Sequence, residues 1–165
     1  MTCIFASYRI ISLKQIKTNI MAKYEEPFED VQEVFDNIIQ TAEIDRYMSI
    51  RILCDDKMKK IGKVVKANDL VKHIGGDDVI IIINQKIFDQ LEPELQIMQA
   101  EELLAGISYN TEKDKIEITK GDVETYSGIL RKYGYHESAN GNKYPYEILK
   151  ESIKTLYNAE KEVEA

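Results

Sequence analysis

The sequence predicts an α+β domain in which a small mixed sheet packs against helices. Three observations carry that expectation. Segments with apolar residues at helical spacing are interspersed irregularly with short strand-like runs, not arranged as a regular βα repeat. One run, "VIIII" at Val79–Ile83, is apolar at every position, as a strand covered on both faces must be. At 165 residues, with 44% hydrophobic and 31% charged residues, the chain is long enough to enclose one core and too apolar to be disordered.

The elements follow in order. In "YEEPFEDVQEVFDNIIQTAEI", Pro27 opens a helix: Phe28, Val31, Val34, Phe35, Ile38, Ile39 and Ala42 fall at helical spacing, with Glu29, Asp30 and Glu33 in the early turns that favour acids. "YMSIRILC" alternates, placing Met48, Ile50, Ile52 and Cys54 on one face of a strand. "CDDKMKKIGKVVK" reads as a turn and a returning strand, a hairpin with its predecessor. "ANDLVKHI" is a short helix stopped by Gly75 and Gly76. After the central strand comes a helical turn near "QKIFDQL", then a helix with Pro93 in its first turn. "NTEKDKIEITK" gives a turn and a short strand, and "GDVETYSGILRKYG" a helix capped by Asp122 and ended at Gly134. The polar loop "HESANGNK" leads to a last amphipathic helix, in which Tyr144, Tyr146, Leu149, Ile153, Leu156 and Tyr157 supply the apolar face.

Charge and cysteine usage narrow the function classes. A net charge of −7 argues against general attraction to nucleic acid or anionic lipid. Two cysteines, Cys3 and Cys54, are too few for a disulfide framework and suit a reducing compartment. No apolar run approaches the roughly 20 residues that cross a bilayer. Residues 1–20 hold Arg9, Lys14 and Lys17 and no acid, so the remainder carries −10. They read as an extension or an upstream start, with a domain at 21–134 and a loop plus C-terminal helix at 135–165; the alternative is an arm that docks on a partner.

The helix in "LEPELQIMQAEELLAGISYN" poses a problem. At about 100° per residue, Ile97, Ala100, Leu103, Leu104, Ala105 and Ile107 occupy most of its circumference. Glu101 then falls between Ile97 and Ala105, and Glu102 between Leu95 and Met98. Carboxylates so placed must be paired, protonated or open to a groove, because an isolated buried charge is prohibitively unfavourable.

From roughly Pro27 to Gly134 the chain resembles the zincin-like metallopeptidases of tailed bacteriophages. The resemblance rests on the opening amphipathic helix, "YMSIRIL", "DVIIIIN", "FDQLEPELQ", "EELLAGI" and "GDVETYSGILRKYG". In active members of that family the helix reads His-Glu-Leu-x-His, and a later His precedes an Asp. Histidines at i and i+4 bind zinc, and the glutamate between them is the general base. The resemblance implies ligand positions at Glu101, Ala105 and Gly121, a base position at Glu102, and a cleft that also includes Asp122. All three imidazoles are absent, and His73 and His136 fall at no motif position. No zinc is therefore expected. The resemblance implies a catalytically inactive interaction protein of a phage, with an unidentified protein partner, in the host cytoplasm or the particle. A residual hydrolase using Glu101, Glu102 and Asp122 around weakly held Mg²⁺ or Mn²⁺ is the second reading.

The lysines between Lys57 and Lys66 form a basic cluster in which Lys59, Lys60 and Lys63 could meet phosphate. A solvated strand edge is the plainer account. "GGDD" at Gly75–Asp78 suits a turn feeding the central strand. The tyrosines of the last third suit either packing on the domain or a protein-binding surface.

Overall fold

The computed structural model describes residues 23–121, 125–133 and 144–164. The expectations placed on residues 1–20, Asp122, His136 and the 136–143 loop lie outside them. The described residues form six helices and two small sheets, which is the α+β arrangement the sequence predicts.

Helix α1 spans Glu29–Thr41 and buries Val31, Phe35 and Ile39, the i, i+4, i+8 stripe visible in the sequence. Pro27 precedes this helix and does not open it. Phe28 is extended (φ −63°, ψ 154°), and its N–H donates to Gln85 Oε1 at 2.6 Å, which fixes the entry of the chain. A short 3₁₀ turn, Ile44–Arg46, links α1 to the sheet.

Strands β1 (Ile50–Cys54), β2 (Gly62–Lys66) and β3 (Val79–Ile83) make the first sheet, ordered β1-β3-β2. β1 runs parallel to β3, with Ile52 opposite Ile81, and β2 runs antiparallel to it, with Val64 opposite Ile81. The hairpin expected between β1 and β2 is therefore absent. The wholly apolar β3 takes the centre, because a strand with two apolar faces gains most from neighbours on both edges. Helix α2 (Asp69–His73), capped by Asn68 through Val71 N–H, lies on the connection to β3.

Helices α3 (Gln85–Phe88) and α4 (Pro93–Ala105) follow, then the hairpin β4 (Ile107–Asn110) and β5 (Lys115–Ile118). Gly106 caps α4, so Ile107 belongs to a strand and not to the helical circumference where its spacing placed it. Helix α5 (Ser127–Tyr133) starts later than the Asp122 expected from the sequence, and α6 spans Pro145–Glu164.

Helix α4 is the centre of the molecule. One side meets α1 and the sheet in a core containing Phe35, Ile52, Ile81, Phe88, Ala100 and Leu104. The other meets α5 and α6 in a second cluster containing Leu95, Met98, Ile129, Tyr146 and Leu149. β2 comes so close that a Cβ on Gly62 would stand 2.6 Å from Leu103 Cδ1, so a larger residue there would require the Leu103 side chain to shift. The packing chosen by the tyrosine-bearing last helix is thus against its own domain, at least through Tyr146.

Cys54, at the end of β1, is buried and its thiol lies 3.4 Å from Gln85 Oε1. Burial first, and then the nearby Asp56, Glu25 and Glu26 carboxylates, push its pKa up to about 12. It stays a thiol through neutral and mildly alkaline pH. A Cys3→Ser variant is therefore expected to resist a thiol-specific disulfide reagent at pH 8 until denaturant is added. Rapid stoichiometric reaction of the native variant would contradict the buried placement.

Candidate functional site on the central helix

Helix α4 opens with Pro93, where a missing N–H costs nothing, and is flanked by Glu92 at its N-cap and Gly106 at its C-cap. Adjacent positions on a helix diverge by about 100°, so Glu101 and Glu102 leave α4 in different directions. Each enters a seam between helices. There each meets one lysine and one tyrosine from the same neighbouring helix.

Glu101 faces α5. Lys132 Nζ stands 2.5 Å from Oε1, and the Tyr133 hydroxyl donates to Oε2 at 2.5 Å. Its side chain is 19% exposed. The hydrogen bond to Glu101 holds the Lys132 ammonium above its ordinary pKa, and burial followed by that same carboxylate raises the Tyr133 phenol. Glu102 faces α6. The Tyr146 hydroxyl donates to Oε1 at 3.1 Å, and Lys150 Nζ stands 3.6 Å from the same oxygen. Its side chain is 13% exposed. Burial raises the Tyr146 phenol, and the Glu102 charge adds to that. Burial opposes the Lys150 charge, yet the Tyr146 hydroxyl and Glu102 outweigh it and hold the ammonium above its ordinary range. Each ammonium also lies 5.0 Å from the ring of its tyrosine neighbour.

Of the options open to a carboxylate on this helix, the structure takes pairing. Both lysines are about half exposed, so solvent screening keeps each ion pair to roughly 1 kcal/mol or less. The tyrosine hydrogen bonds, part-buried, hold the geometry more firmly than the charges do.

The other two motif positions carry no donor. Ala105 is exposed and shares with Glu101 an apolar groove of about 540 Å³, walled by Val34, Ile38, Ile97 and Ile129. Gly121 lies with Glu102 in a second groove, of about 700 Å³, and Lys59, Lys60 and Lys63 line that groove too. A Cβ on Gly121 would stand 2.6 Å from Thr125 O, so the backbone there is closed against any side chain.

The positions matched to the zinc motif therefore line two different grooves. The first and second ligand positions face one groove, and the base and third ligand positions face the other. Zinc needs three protein donors aimed at one point, and a set consisting of one lysine-bound carboxylate, an alanine and a glycine does not fit it. Nor do Glu101 and Glu102 meet as an all-carboxylate pair. Among the described residues no group of three His, Cys, Asp or Glu side chains is arranged to hold a metal. His73 sits exposed in the last turn of α2, where a helix C-terminus favours a basic group.

Sequence reasoning missed Lys132 and Lys150 as partners of the glutamates, although Tyr133 and Tyr146 were noticed as part of a tyrosine-rich end. It also missed Gln99, a buried amide on α4, and Lys120, which joins the second groove. One signal was available: a lysine next to a tyrosine in α5, and one four residues after a tyrosine in α6. Nothing local connects either pair to α4, whose Glu101 is 31 residues before Lys132.

A family model described as putative phage metallopeptidase matches residues 14–159, beyond the 27–134 span of the sequence resemblance at both ends and including most of α6. No curated protein and no solved structure matches the chain.

Proposed function

Because the chain belongs to the putative phage metallopeptidase family, we propose that it is a non-catalytic member that works by holding a protein partner, in the host bacterial cytoplasm or in the phage particle. One observation carries this reading: the base-position carboxylate, Glu102, is occupied by the Tyr146 hydroxyl and Lys150. A general base must be free to take a proton from an activated water. Here the Tyr146 hydroxyl and the Lys150 ammonium both stand at Oε1, which ties the carboxylate into the seam with α6 and leaves only its second oxygen to receive a proton. The donor-free Ala105 and Gly121 support the same conclusion from the metal side.

A hydrolase holding Mg²⁺ or Mn²⁺ through Glu101, Glu102 and Asp122 is the weaker reading, because the first two carboxylates point into separate seams. Among the described residues no helix is long and apolar enough to cross a membrane.

The test is peptide hydrolysis by the full chain, using a quenched-fluorescent mixed-sequence peptide pool with zinc, manganese or magnesium supplied. The expected rate equals that of the Glu102→Gln variant and of buffer alone. A metal-dependent rate that Glu102→Gln abolishes would return the protein to the peptidases.

A further inference from the structure

The groove beside Glu102 has properties that the loss of catalysis does not explain. Lys59, Lys60, Lys63 and Lys120 line it together with Lys150. Lys150 is paired with Glu102, whereas no carboxylate among the described residues pairs with the other four. The chain as a whole is acidic, at −7. Unpaired like charges gathered in a concave site repel one another, and an anion relieves that repulsion.

Two further features lie in the same groove. Gln99 is 3% exposed, and its Oε1 has no hydrogen-bond partner. A side-chain amide offers one acceptor and two donors, which suits the N–H and C=O of another chain. The second feature is β2, an edge strand paired only with β3. β5 approaches its far end, where Lys66 Nζ donates to Ile116 O at 2.8 Å. From Lys59 to Val64 no backbone hydrogen bond leads outward from the sheet among the described residues. An edge of this kind can accept an added strand, with main-chain bonds giving affinity and side chains giving selectivity.

We propose that this groove binds an extended acidic peptide segment of a partner protein, laid along β2, with Lys59, Lys60, Lys63 and Lys120 meeting its carboxylates and the Gln99 amide meeting its backbone. The proposal rests on the interaction reading above and gives the partner's chemistry. The free strand edge and the buried amide favour a polypeptide over a nucleic acid, whose phosphates would use the lysines and leave both unused.

Fluorescence anisotropy on the full chain tests it, with three labelled probes: an alternating Glu-Val decapeptide, the Gln-Val decapeptide and a thymidine decanucleotide. The acidic peptide is expected to bind about tenfold or more tightly than the neutral one, as charge complementarity requires. The double variant Lys60→Glu/Lys63→Glu should weaken it by a similar factor. Both lysines are exposed, so that variant should fold, with circular dichroism as the check. Gln99→Leu should weaken acidic-peptide binding while raising the melting temperature, an opposition that a purely structural glutamine would not give. Equal binding of the two peptides, no binding of either, or tighter binding of the oligonucleotide would overturn the proposal. None of these outcomes depends on turnover: metal-dependent hydrolysis would defeat the non-catalytic reading alone, and loss of acidic preference would defeat this one alone.

Discussion

Phe88→Ala is expected to destabilise the fold by about 3–5 kcal/mol, the range for truncating a buried aromatic residue. Phe88 ends the short helix α3, is fully buried, and stacks on Phe35 of α1 with centroids 5.7 Å apart and planes at 29°. The pair ties the segment after the central strand to the first helix, and both residues belong to the core that also contains Ile52, Ile81 and Leu104. Removing one ring loses its burial and leaves a cavity between α1 and β3 that rigid neighbours cannot close. In urea unfolding the midpoint should fall with little change in slope. A loss below about 1 kcal/mol would mean that this interior repacks freely, contrary to the close packing usual in protein cores.

Asn84→Ala should be nearly as damaging, at about 2–3 kcal/mol, through hydrogen bonds and not volume. Asn84 follows β3 and is almost fully buried. Its Oδ1 accepts from Ile87 N–H at 3.2 Å, capping α3. Its Nδ2 lies 3.0 Å from Met58 O, 3.3 Å from Asp56 O and 3.2 Å from the Tyr157 hydroxyl. That hydroxyl in turn donates to Met58 O at 3.1 Å. One amide therefore joins the loop after β1, the start of α3 and the last helix. Alanine would orphan several buried groups at once. Asn84→Asp should fare no better at neutral pH, since a carboxylate would face the two carbonyl oxygens with no proton to offer. Tyr157→Phe, which leaves the cap intact, should cost less than either. An Asn84→Ala protein as stable as the parent would show that these contacts are dispensable.

The parts of the fold visible in the sequence were those fixed by local periodicity. The stripe Val31, Phe35, Ile39 announced α1, and the unbroken apolar run at Val79–Ile83 announced the central strand. The pairing of β1 and β2 was not visible. Sequence adjacency favoured a hairpin, but the partner of each strand was decided by the demand of β3 for cover on both edges, which is a property of the whole sheet. The end of α4 was blurred because Ile107 continues the helical spacing while its backbone has already passed Gly106 into a strand.

At the site, the sequence stated the problem correctly and could not solve it. That Glu101 and Glu102 need partners follows from their apolar neighbours. Which partners they find depends on how α5 and α6 dock on α4, and those helices lie far along the chain. The split of the motif positions between two grooves was equally hidden. A motif spacing counts residues along the chain, whereas ligation depends on where the Gly121 backbone comes to rest, and that backbone closes on Thr125.

The most direct test of this account is zinc binding by the full chain, measured by equilibrium dialysis against micromolar free zinc followed by metal quantification. The account predicts far less than one zinc per chain, with no difference between the parent and the Glu101→Ala variant. One firmly held zinc per chain that disappears on Glu101→Ala would contradict it, because the carboxylate now bound to Lys132 and Tyr133 would then be a ligand after all.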